Sequence, residues 1–225
     1  MAPLGGGAEA LATVEGDDWS YGFNLGALCT LPCGTTVGLS YRSGIEHVLD
    51  GDIKIGPLPA EEGTADLDLP ETAAIGISVP IGESLSIQAD ATWTGWSSFE
   101  DLTTVRDDGS VVSTTDESWE DTWRFALGAT VQVNDDLVVR TGCAFDQTPV
   151  PDAAHRTARI PDADRTWLTF GAGMSLSDTL SVDVGYAHLW FDDANISEMY
   201  GPGTSLVGTY EGEVDIVSLQ LAWTI

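Results

Sequence analysis

The connections between the apolar, period-two segments of this 225-residue chain alternate between short and long. Segments in which apolar and polar residues alternate are read as β-strands, because alternation places one strand face in an apolar environment. The predicted strands span residues 18–29, 35–42, 68–79, 84–99, 119–132, 137–146, 165–176, 179–191 and 209–225. The tight connections are 30–34, 80–83, 134–136 and 177–178, and the long polar ones are 43–67, 100–118, 147–164 and 192–208.

This alternation of connection lengths favours an antiparallel barrel that spans a membrane. Outer-membrane barrels have short turns on the periplasmic side and longer loops on the external side. A soluble sandwich has no reason to alternate so regularly. The sequence therefore predicts an all-β, antiparallel transmembrane β-barrel. The alternatives are a soluble acidic β-sandwich that binds carbohydrate and a non-transporting surface or adhesin-like β protein.

The two faces of the predicted strands differ in the way that such a barrel requires. In one strand, Leu180, Val182 and Val184 alternate with Ser181 and Asp183, and the same division recurs in the other long strands. Barrel strands in lipid are apolar outside and polar inside, so we expect the small and polar face to line the lumen. Aromatic residues near the strand ends are expected to form an interfacial girdle: Trp19, Tyr21, Tyr41, Trp93, Trp190 and Trp223.

The charged residues are concentrated in the long connections and are expected to be absent from the outward face of the strands. The chain has 36 acidic and 8 basic residues, for a formal net charge of −28, which argues against nucleic acid as a partner. More than half of the acidic residues lie in the long connections and their margins. The outward positions between the strand ends are expected to carry no charge. An acidic surface alone would also suit a soluble or halophilic protein.

The predicted strand number indicates a barrel that is larger than this chain. Bacterial single-chain barrels usually have an even number of strands, and nine strands leave two edges that lipid cannot satisfy. Residues 1–14 lack the cationic start and continuous apolar stretch of a secretory signal. We therefore expect 18–225 to be the C-terminal part of an outer-membrane barrel, with 1–17 an N-terminal segment outside its recognisable strands.

Several blocks of this sequence, in order, resemble the FadL family of outer-membrane transporters of long-chain fatty acids and other hydrophobic compounds. The blocks are LPE at 69–71, WTGWSSF at 93–99, RTG at 140–142, DQTPVP at 146–151 and IPDADR at 160–165. The resemblance extends from about Gly16 to Ile225. An ordered match of several blocks is more specific than any single motif.

The resemblance implies a fourteen-stranded barrel plugged by an N-terminal hatch, of which this chain would supply the last nine strands. It implies uptake of long-chain fatty acids or other hydrophobic molecules through the bacterial outer membrane, without a cofactor. The implied partners are the ligand, outer-membrane lipid and lipopolysaccharide, the barrel-assembly machinery and the missing N-terminal half. Relatives that take fatty acids are thought to meet the carboxylate with lumenal basic residues, one near the start of the strand at 119–132. Residues 113–120 contain no lysine here, so an uncharged hydrocarbon is an alternative substrate to a fatty acid.

Strand parity places three arginines and three aspartates on the lumenal face: Arg42, Arg124, Arg140, Asp90, Asp146 and Asp183. A guanidinium can bind a carboxylate through two hydrogen bonds, so the arginines are candidate ligand-binding residues. The alternative is that arginines and aspartates pair with each other and hold the wall together, because buried charges are usually paired.

Aromatic residues are candidates for binding the apolar part of a ligand. Trp96, Phe99 and Trp123, together with Trp119, lie at the outer ends of adjacent predicted strands. They are expected to line an apolar groove at the mouth of the barrel, unless they belong to the interfacial girdle.

The loop 147–164 contains three prolines, which restrict its backbone, and we expect it to be ordered and folded over the mouth. Its basic residues, His155, Arg156 and Arg159, are candidates for attracting anionic substrates or lipopolysaccharide phosphates. The alternative is a solvated loop in which nearby aspartates balance these charges.

No catalytic or metal-binding residues are predicted, so the sequence indicates a protein that is not an enzyme. His47, His155 and His188 lack the spacing of a zinc site or of a Ser-His-Asp arrangement. A hydrolase that uses His188 or His47 with a nearby serine is the alternative from a different class. Cys29 and Cys33 flank a tight turn and are either free thiols or a hairpin-end disulfide.

Overall fold

A computed structural model describes residues 2–4, 8–10, 12–201 and 203–224. The regular secondary structure of the described residues consists of β-strands and one short 3-10 helix at Trp96–Ser98. In chain order the strands are β1 (Ala2–Leu4), β2 (Ala8–Ala10), β3 (Ala12–Asp17), β4 (Asn24–Thr30), β5 (Thr36–Arg42), β6 (Ile45–Ile55), β7 (Glu61–Leu69), β8 (Thr72–Ile81), β9 (Leu85–Thr94), β10 (Asp101–Arg106), β11 (Val111–Asp116), β12 (Thr122–Gln132), β13 (Leu137–Asp146), β14 (Arg165–Ser177), β15 (Leu180–Phe191), β16 (Ala194–Gly201), β17 (Thr204–Tyr210) and β18 (Glu213–Trp223).

Nine of these strands form one antiparallel sheet, which we name the barrel wall. Its order is β18-β15-β14-β13-β12-β9-β8-β5-β4. Each of the nine predicted strands corresponds to one strand of this wall, so the prediction of an antiparallel meander is confirmed. The tight turns at one end include Gly34 and Gly82, whose positive φ values of 84° and 67° favour glycine.

The two faces of the wall differ as predicted. Along β12, Trp123, Phe125 and Leu127 are exposed, whereas Arg124 and Ala126 between them are partly buried. The register keeps like faces together, because Phe125 pairs with Phe145 on β13 and Leu127 pairs with Cys143. We name the exposed apolar side the outward face and the opposite side the lumenal face.

One charged group departs from the expected uncharged outward face. Asp215 on β18 is cross-strand partner to His188 on β15, and both share the face of Tyr186 and Val217. Asp215 Oδ1 accepts hydrogen bonds from Tyr186 Oη at 2.6 Å and from His188 Nδ1 at 2.7 Å. The expectation of no outward charge is therefore wrong at this position. Asp215 lies near the outer end of β18, where these two partners satisfy its carboxylate.

The long connections are not simple loops, which corrects the sequence interpretation. Residues 43–67 form the β6–β7 hairpin, and 100–118 contain the β10–β11 hairpin. These strands join β3 in a five-stranded sheet of order β11-β10-β7-β6-β3, and β16 and β17 form a further hairpin. We name this five-stranded sheet, the β16–β17 hairpin and the loop 147–164 together the cap.

Several wall strands are shorter than predicted because the chain leaves the wall for the cap. β4 begins at Asn24 rather than at 18, and the preceding segment is fixed by Ser20 Oγ, which donates to the Glu46 carbonyl at 2.6 Å. Trp19 and Tyr21, predicted for the girdle, lie in this segment outside the strand and are 88% and 93% exposed. β12 begins at Thr122 and β18 at Glu213, for the same reason.

Part of the loop 147–164 is buried against neighbouring segments. Val150 is 5% exposed and packs with Phe99 and Trp119 in a buried apolar cluster. Pro149 accepts a hydrogen bond from the Glu120 backbone amide at 2.8 Å, which ties the loop to the start of β12. Within the described residues, no helix has the length and apolar character to cross a membrane.

Candidate functional site

Two ion pairs lie on the lumenal face of the wall. Arg124 Nη1 on β12 is 3.3 Å from Asp90 Oδ1 on the neighbouring strand β9. Arg140 Nη1 on β13 is 3.1 Å from Asp183 Oδ1 on β15, so this pair spans the intervening strand β14. All four side chains are between 40% and 49% exposed. Two of the three predicted arginines are thus balanced by aspartates on the same face.

A fourth lumenal cation, Arg165, is not among the three arginines predicted from the sequence. It begins β14 directly opposite Asp146, and its Nε lies 3.0 Å from Asp146 Oδ2. Its Nη1 lies 3.0 Å from Asp162 Oδ1 in the cap loop, and its guanidinium carbon is 5.8 Å from the centre of the Phe191 ring. The Arg165–Asp162 ion pair links the cap loop to the outer end of the wall. The shared strand parity of Arg165 and Asp146 was the available signal.

Arg42, at the outer end of β5, differs from the other lumenal arginines. It is exposed, and its side chain makes no hydrogen bond or ion pair within the part of the chain that the structure describes. Its cross-strand partners are Asn24 and Thr72. The row of cross-strand partners continues from Thr72 to Thr94 on β9 and Thr122 on β12. The Arg42 side chain therefore has no ion-pair partner among the described residues, and its nearest cross-strand neighbours are short uncharged polar residues.

Small residues occupy the lumenal face between the two ion pairs. Gly128 on β12 is the cross-strand partner of Gly142 on β13, and Ala126 is the partner of Ala144. Gly171 on β14 is the cross-strand partner of Arg140 on β13. These five positions form the bottom of a cavity of about 370 Å³, whose sides include Gln88, Asp90, Arg124, Arg140, Trp167 and Thr169.

The predicted aromatic residues separate into two places. Trp96 and Phe99 each lie edge-on to Trp119, with ring centres 4.9 Å apart in both pairs, in the apolar cluster of the cap. Trp123 does not join them, which corrects the expected grouping. It lies on the outward face, stacked on Phe125 with ring centres 5.8 Å apart. The reason is strand parity, since Arg124 between these two rings occupies the lumenal face.

A buried carboxyl group lies beside the aromatic cluster. Glu117 is 3% exposed, and its Oε2 accepts a hydrogen bond from Trp119 Nε1 at 3.1 Å. Burial raises the pKa of the Glu117 carboxyl above its usual range, while the Trp119 hydrogen bond and the charge of Arg159 oppose the shift. The buried surroundings of Glu117 therefore disfavour ionisation of its carboxyl group.

The basic residues of the cap loop are engaged within the cap. Arg156 is 8% exposed, and its Nε and Nη1 donate to the backbone carbonyls of Asp162 and Asn195 at 2.9 and 2.5 Å. His155 Nδ1 lies 2.9 Å from Asp152 Oδ1, and Arg159 Nη2 donates to a threonine of β11. These contacts hold the loop against its neighbours, and attraction of anions by the three residues stays a prediction.

Catalytic and metal-binding groups were not expected from the sequence. Within residues 12–201 and 203–224 and the two short N-terminal strands, no group of three or more His, Cys, Asp or Glu side chains is arranged to hold a metal ion. His47 contacts Asp18 at 3.1 Å, far along the chain from His188 and its partner Asp215. The three cysteines, including Cys29 and Cys33, are free thiols.

Known proteins share both the sequence and the architecture of this chain. The model of a family described as outer membrane protein transport protein (OMPP1/FadL/TodX) matches residues 2–224. The long-chain fatty acid transport protein of Escherichia coli O6:H1 is 32% identical over 209 residues, which cover 85% of this chain and 47% of that protein.

Solved structures give the same result for the fold. The crystal structure of a Pseudomonas aeruginosa FadL homologue superposes with a TM-score of 0.86 at 29% identity, covering 95% of this chain and 54% of that one. The Pseudomonas putida toluene transporter TodX shares the fold, with a TM-score of 0.60 at 15% identity over 91% of this chain and 49% of that one.

The chain thus spans about half the length of the relatives that it matches. The family match runs through both the wall and the cap, and it includes the segments that carry the lumenal ion pairs. The wall has the apolar outward face and the polar lumenal face of an outer-membrane barrel. This chain belongs to the outer membrane protein transport protein (OMPP1/FadL/TodX) family and is a protein of the bacterial outer membrane.

Proposed function

We propose that this chain forms the C-terminal nine strands of a fourteen-stranded outer-membrane barrel that takes up hydrophobic small molecules. The observation that carries the proposal is the agreement of 95% of this chain with a FadL homologue at a TM-score of 0.86. The strands at both edges of the wall, β4 and β18, have one unpaired side within the described chain. The proposed N-terminal half would supply the strands that close the barrel, because lipid cannot satisfy a free strand edge.

The lumenal face supports passage of molecules with little charge. Arg124 and Arg140 are balanced by Asp90 and Asp183, so this part of the wall presents no net charge. Glycine and alanine between the pairs leave open space beside the wall. Uptake through such a lumen would need no nucleotide, metal or covalent step, and the ligand would move down its own gradient.

Two substrate classes remain candidates. Relatives of this chain include a long-chain fatty acid transport protein and a toluene transporter. A fatty acid would place its carboxylate at Arg42, the lumenal arginine without a partner in the described chain, because charge-assisted hydrogen bonds to a carboxylate are strong. An uncharged hydrocarbon would need no such contact. Trp96 and Phe99 are proposed to contact the apolar part of either ligand at the cap.

The proposed partners outside the lumen follow from the outward face and the cap. Trp123 and Phe125, exposed on the outward face, would contact outer-membrane lipid, in keeping with aromatic residues at the membrane interface. Lipopolysaccharide at the cap and the assembly machinery at the last strands are also proposed partners. Residues 1–17 are proposed to lie outside the wall, which is supported by the pairing of β3 with β6 in the cap.

An uptake measurement tests the proposed function. The native gene would be expressed in Gram-negative cells that lack their own family member, and uptake of radiolabelled oleate and of a radiolabelled alkane would be measured. We expect uptake of at least one compound to rise above that of cells with an empty vector. A heat-modifiable barrel present in the outer membrane without any rise in uptake would contradict transport and favour a non-transporting surface protein.

A further inference from the structure

The glycine-floored cavity in the lumenal wall is the strongest unassigned feature of the molecule. Its floor consists of Ala126, Gly128, Gly142, Ala144 and Gly171, which belong to three adjacent strands. We propose that this cavity, which we name the floor site, binds the flat, uncharged hydrocarbon part of a ligand and rejects a carboxylate. The inference rests on the proposed uptake function and adds a location and a chemical preference to it.

The shape of the floor favours a flat ligand. Gly128 and Gly142 face each other directly across two strands, so no side chain rises from the wall at this point. The peptide groups there are already hydrogen-bonded within the sheet, and they present a flat surface without free donors or acceptors. The cavity volume of about 370 Å³ falls within the range of about 300–1,000 Å³ that is typical of small-molecule sites.

The side walls favour an apolar ligand. Trp167 on β14 borders the floor, and its Nε1 is buried without a hydrogen-bond partner among the described residues. The part of the indole that lines the cavity is therefore its carbon framework. Thr169 Oγ1 is occupied by a hydrogen bond to the Gly142 carbonyl at 3.2 Å, and Gln88 Nε2 donates to Ser86 Oγ at 2.9 Å. Aromatic surfaces at such sites bind other flat rings by offset or edge contact.

The charges around the floor disfavour an anion. Arg124 and Arg140 both border the cavity, but each donates to an aspartate, at 3.3 and 3.1 Å. A ligand carboxylate would have to separate one of these pairs and would then lie beside the freed aspartate. Like charges at short distance repel, so a carboxylate gains less here than at an arginine without an acidic partner.

The glycines make the floor site testable without breaking the sheet. A Cβ added at Gly128 would lie 3.5 Å from the Thr141 carbonyl and 3.6 Å from Gln88, both ordinary contact distances. Gly128→Leu should therefore fold while filling the cavity. Gly26 on β4 is a matched control, because it is also lumenal, its added Cβ would lie 3.6 Å from the Leu39 carbonyl, and it does not line this cavity.

The experiment measures binding by quenching of tryptophan fluorescence. The native gene product is folded in detergent or lipid nanodiscs and titrated with 1-bromonaphthalene, a flat uncharged quencher, and with 4-bromo-1-naphthoate, its carboxylate counterpart. We expect saturable quenching by the uncharged probe, with an affinity at least roughly tenfold higher than for the carboxylate. Gly128→Leu should weaken that binding by roughly tenfold or more, and Gly26→Leu should leave it unchanged.

Three outcomes would overturn the floor site: no saturable quenching, equal affinity for the two probes, or Gly128→Leu that binds like the parent chain. If Gly128→Leu does not fold, Gly128→Ala decides, since a single methyl should still weaken binding by a few-fold while Gly26→Ala does not. Trp167→Phe should retain the affinity and lose part of the quenching. A folded chain that passes these tests while the native gene supports no uptake would refute transport and leave the floor site standing.

Discussion

Arg124 and Asp90 lie on neighbouring strands of the barrel wall, with Nη1 and Oδ1 3.3 Å apart on the lumenal face. Both line the cavity whose floor consists of glycine and alanine, as does Arg140. Arg124 and Asp90 neutralise each other. Removing the charge of either residue should therefore change the affinity of the wall for an anionic ligand.

Removing the aspartate should change ligand preference rather than stability. In Asp90→Asn, Arg124 loses its counter-charge and becomes available to a carboxylate, so affinity for 4-bromo-1-naphthoate should rise by roughly tenfold. The pair is about two-fifths exposed, so its loss should change the free energy of unfolding by less than about 1 kcal/mol. Fluorescence titration and a thermal melt measure the two quantities. The double variant Asp90→Asn/Arg124→Gln should return the carboxylate affinity to its starting level.

Arg42 should matter only for ligands that carry a carboxylate. Arg42→Gln removes the lumenal guanidinium that has no partner within the described chain, so oleate uptake by the native gene should fall several-fold at low concentration. Uptake of the methyl ester of oleate should not change. Arg124→Gln is the matched control, since that guanidinium is already paired. Equal losses for oleate and its methyl ester would exclude carboxylate recognition by Arg42.

The aromatic cluster should stabilise the cap and not the wall. Trp119→Ala removes a buried ring that packs edge-on against Trp96 and Phe99, and such truncations cost about 3–5 kcal/mol. We expect the cap to become sensitive to protease while the wall strands stay protected, as measured by mass spectrometry of the fragments. Trp123→Ala, a change of the same size on the outward face, should leave the cap resistant. Cleavage spread evenly over cap and wall would show that the cluster supports the whole fold.

The cap should be more stable at mildly acidic pH than at neutral pH. Burial raises the pKa of Glu117 above 4.5, so the folded cap binds this proton more tightly than the unfolded cap does. Stability should therefore rise as the pH falls from about 7 through the raised pKa, with no further gain below the unfolded value. Hydrogen bonds from the His155 side chain and backbone lower the pKa of Asp152, so its contribution is present above 3.8 and is lost at more acidic pH.

Urea titrations of the cap at about pH 7 and about pH 5, followed by tryptophan fluorescence, would measure this dependence. Glu117→Gln should raise the midpoint at about pH 7 and remove the gain at about pH 5, because the amide carries no charge at either pH. Glu120→Gln is a suitable control, since Glu120 is exposed at the neighbouring turn of the chain. A midpoint for the parent chain that falls steadily from about pH 7 to about pH 5 would contradict the role assigned to Glu117.

The barrel wall could be predicted from the sequence because its signals are local. The alternation of apolar and polar residues along each strand predicts which residues share a face. It therefore predicts that Arg124 and Asp90 both lie on the lumenal face, where they form an ion pair. The cap strands were missed because their acidic residues suggested solvated loops, although Asp108-Gly109 is a strong turn signal between alternating segments. Gly109 does adopt a positive φ of 81° at the β10–β11 turn.

The contacts that depend on register or on distant segments could not be predicted. Arg140 reaches Asp183 across an intervening strand, and Val150 packs on Trp119 through a loop whose path the sequence does not determine. The sequence interpretation groups Trp123 with Trp119 because both lie at the outer end of the predicted strand 119–132, but the strand begins between them and places Trp123 on the outward face. The floor site arises from glycines on three different strands, which align only when the sheet has formed.

Blocking the lumen chemically would show whether hydrophobic molecules pass along this wall. Cys29, Cys33 and Cys143 would be replaced by serine, and a single cysteine would be introduced as Gly128→Cys on the lumenal face or Phe125→Cys on the outward face. After labelling with a bulky maleimide, uptake by the native gene product should be lost with the lumenal label and kept with the outward label. Equal uptake with both labels would contradict passage of the substrate through the lumen.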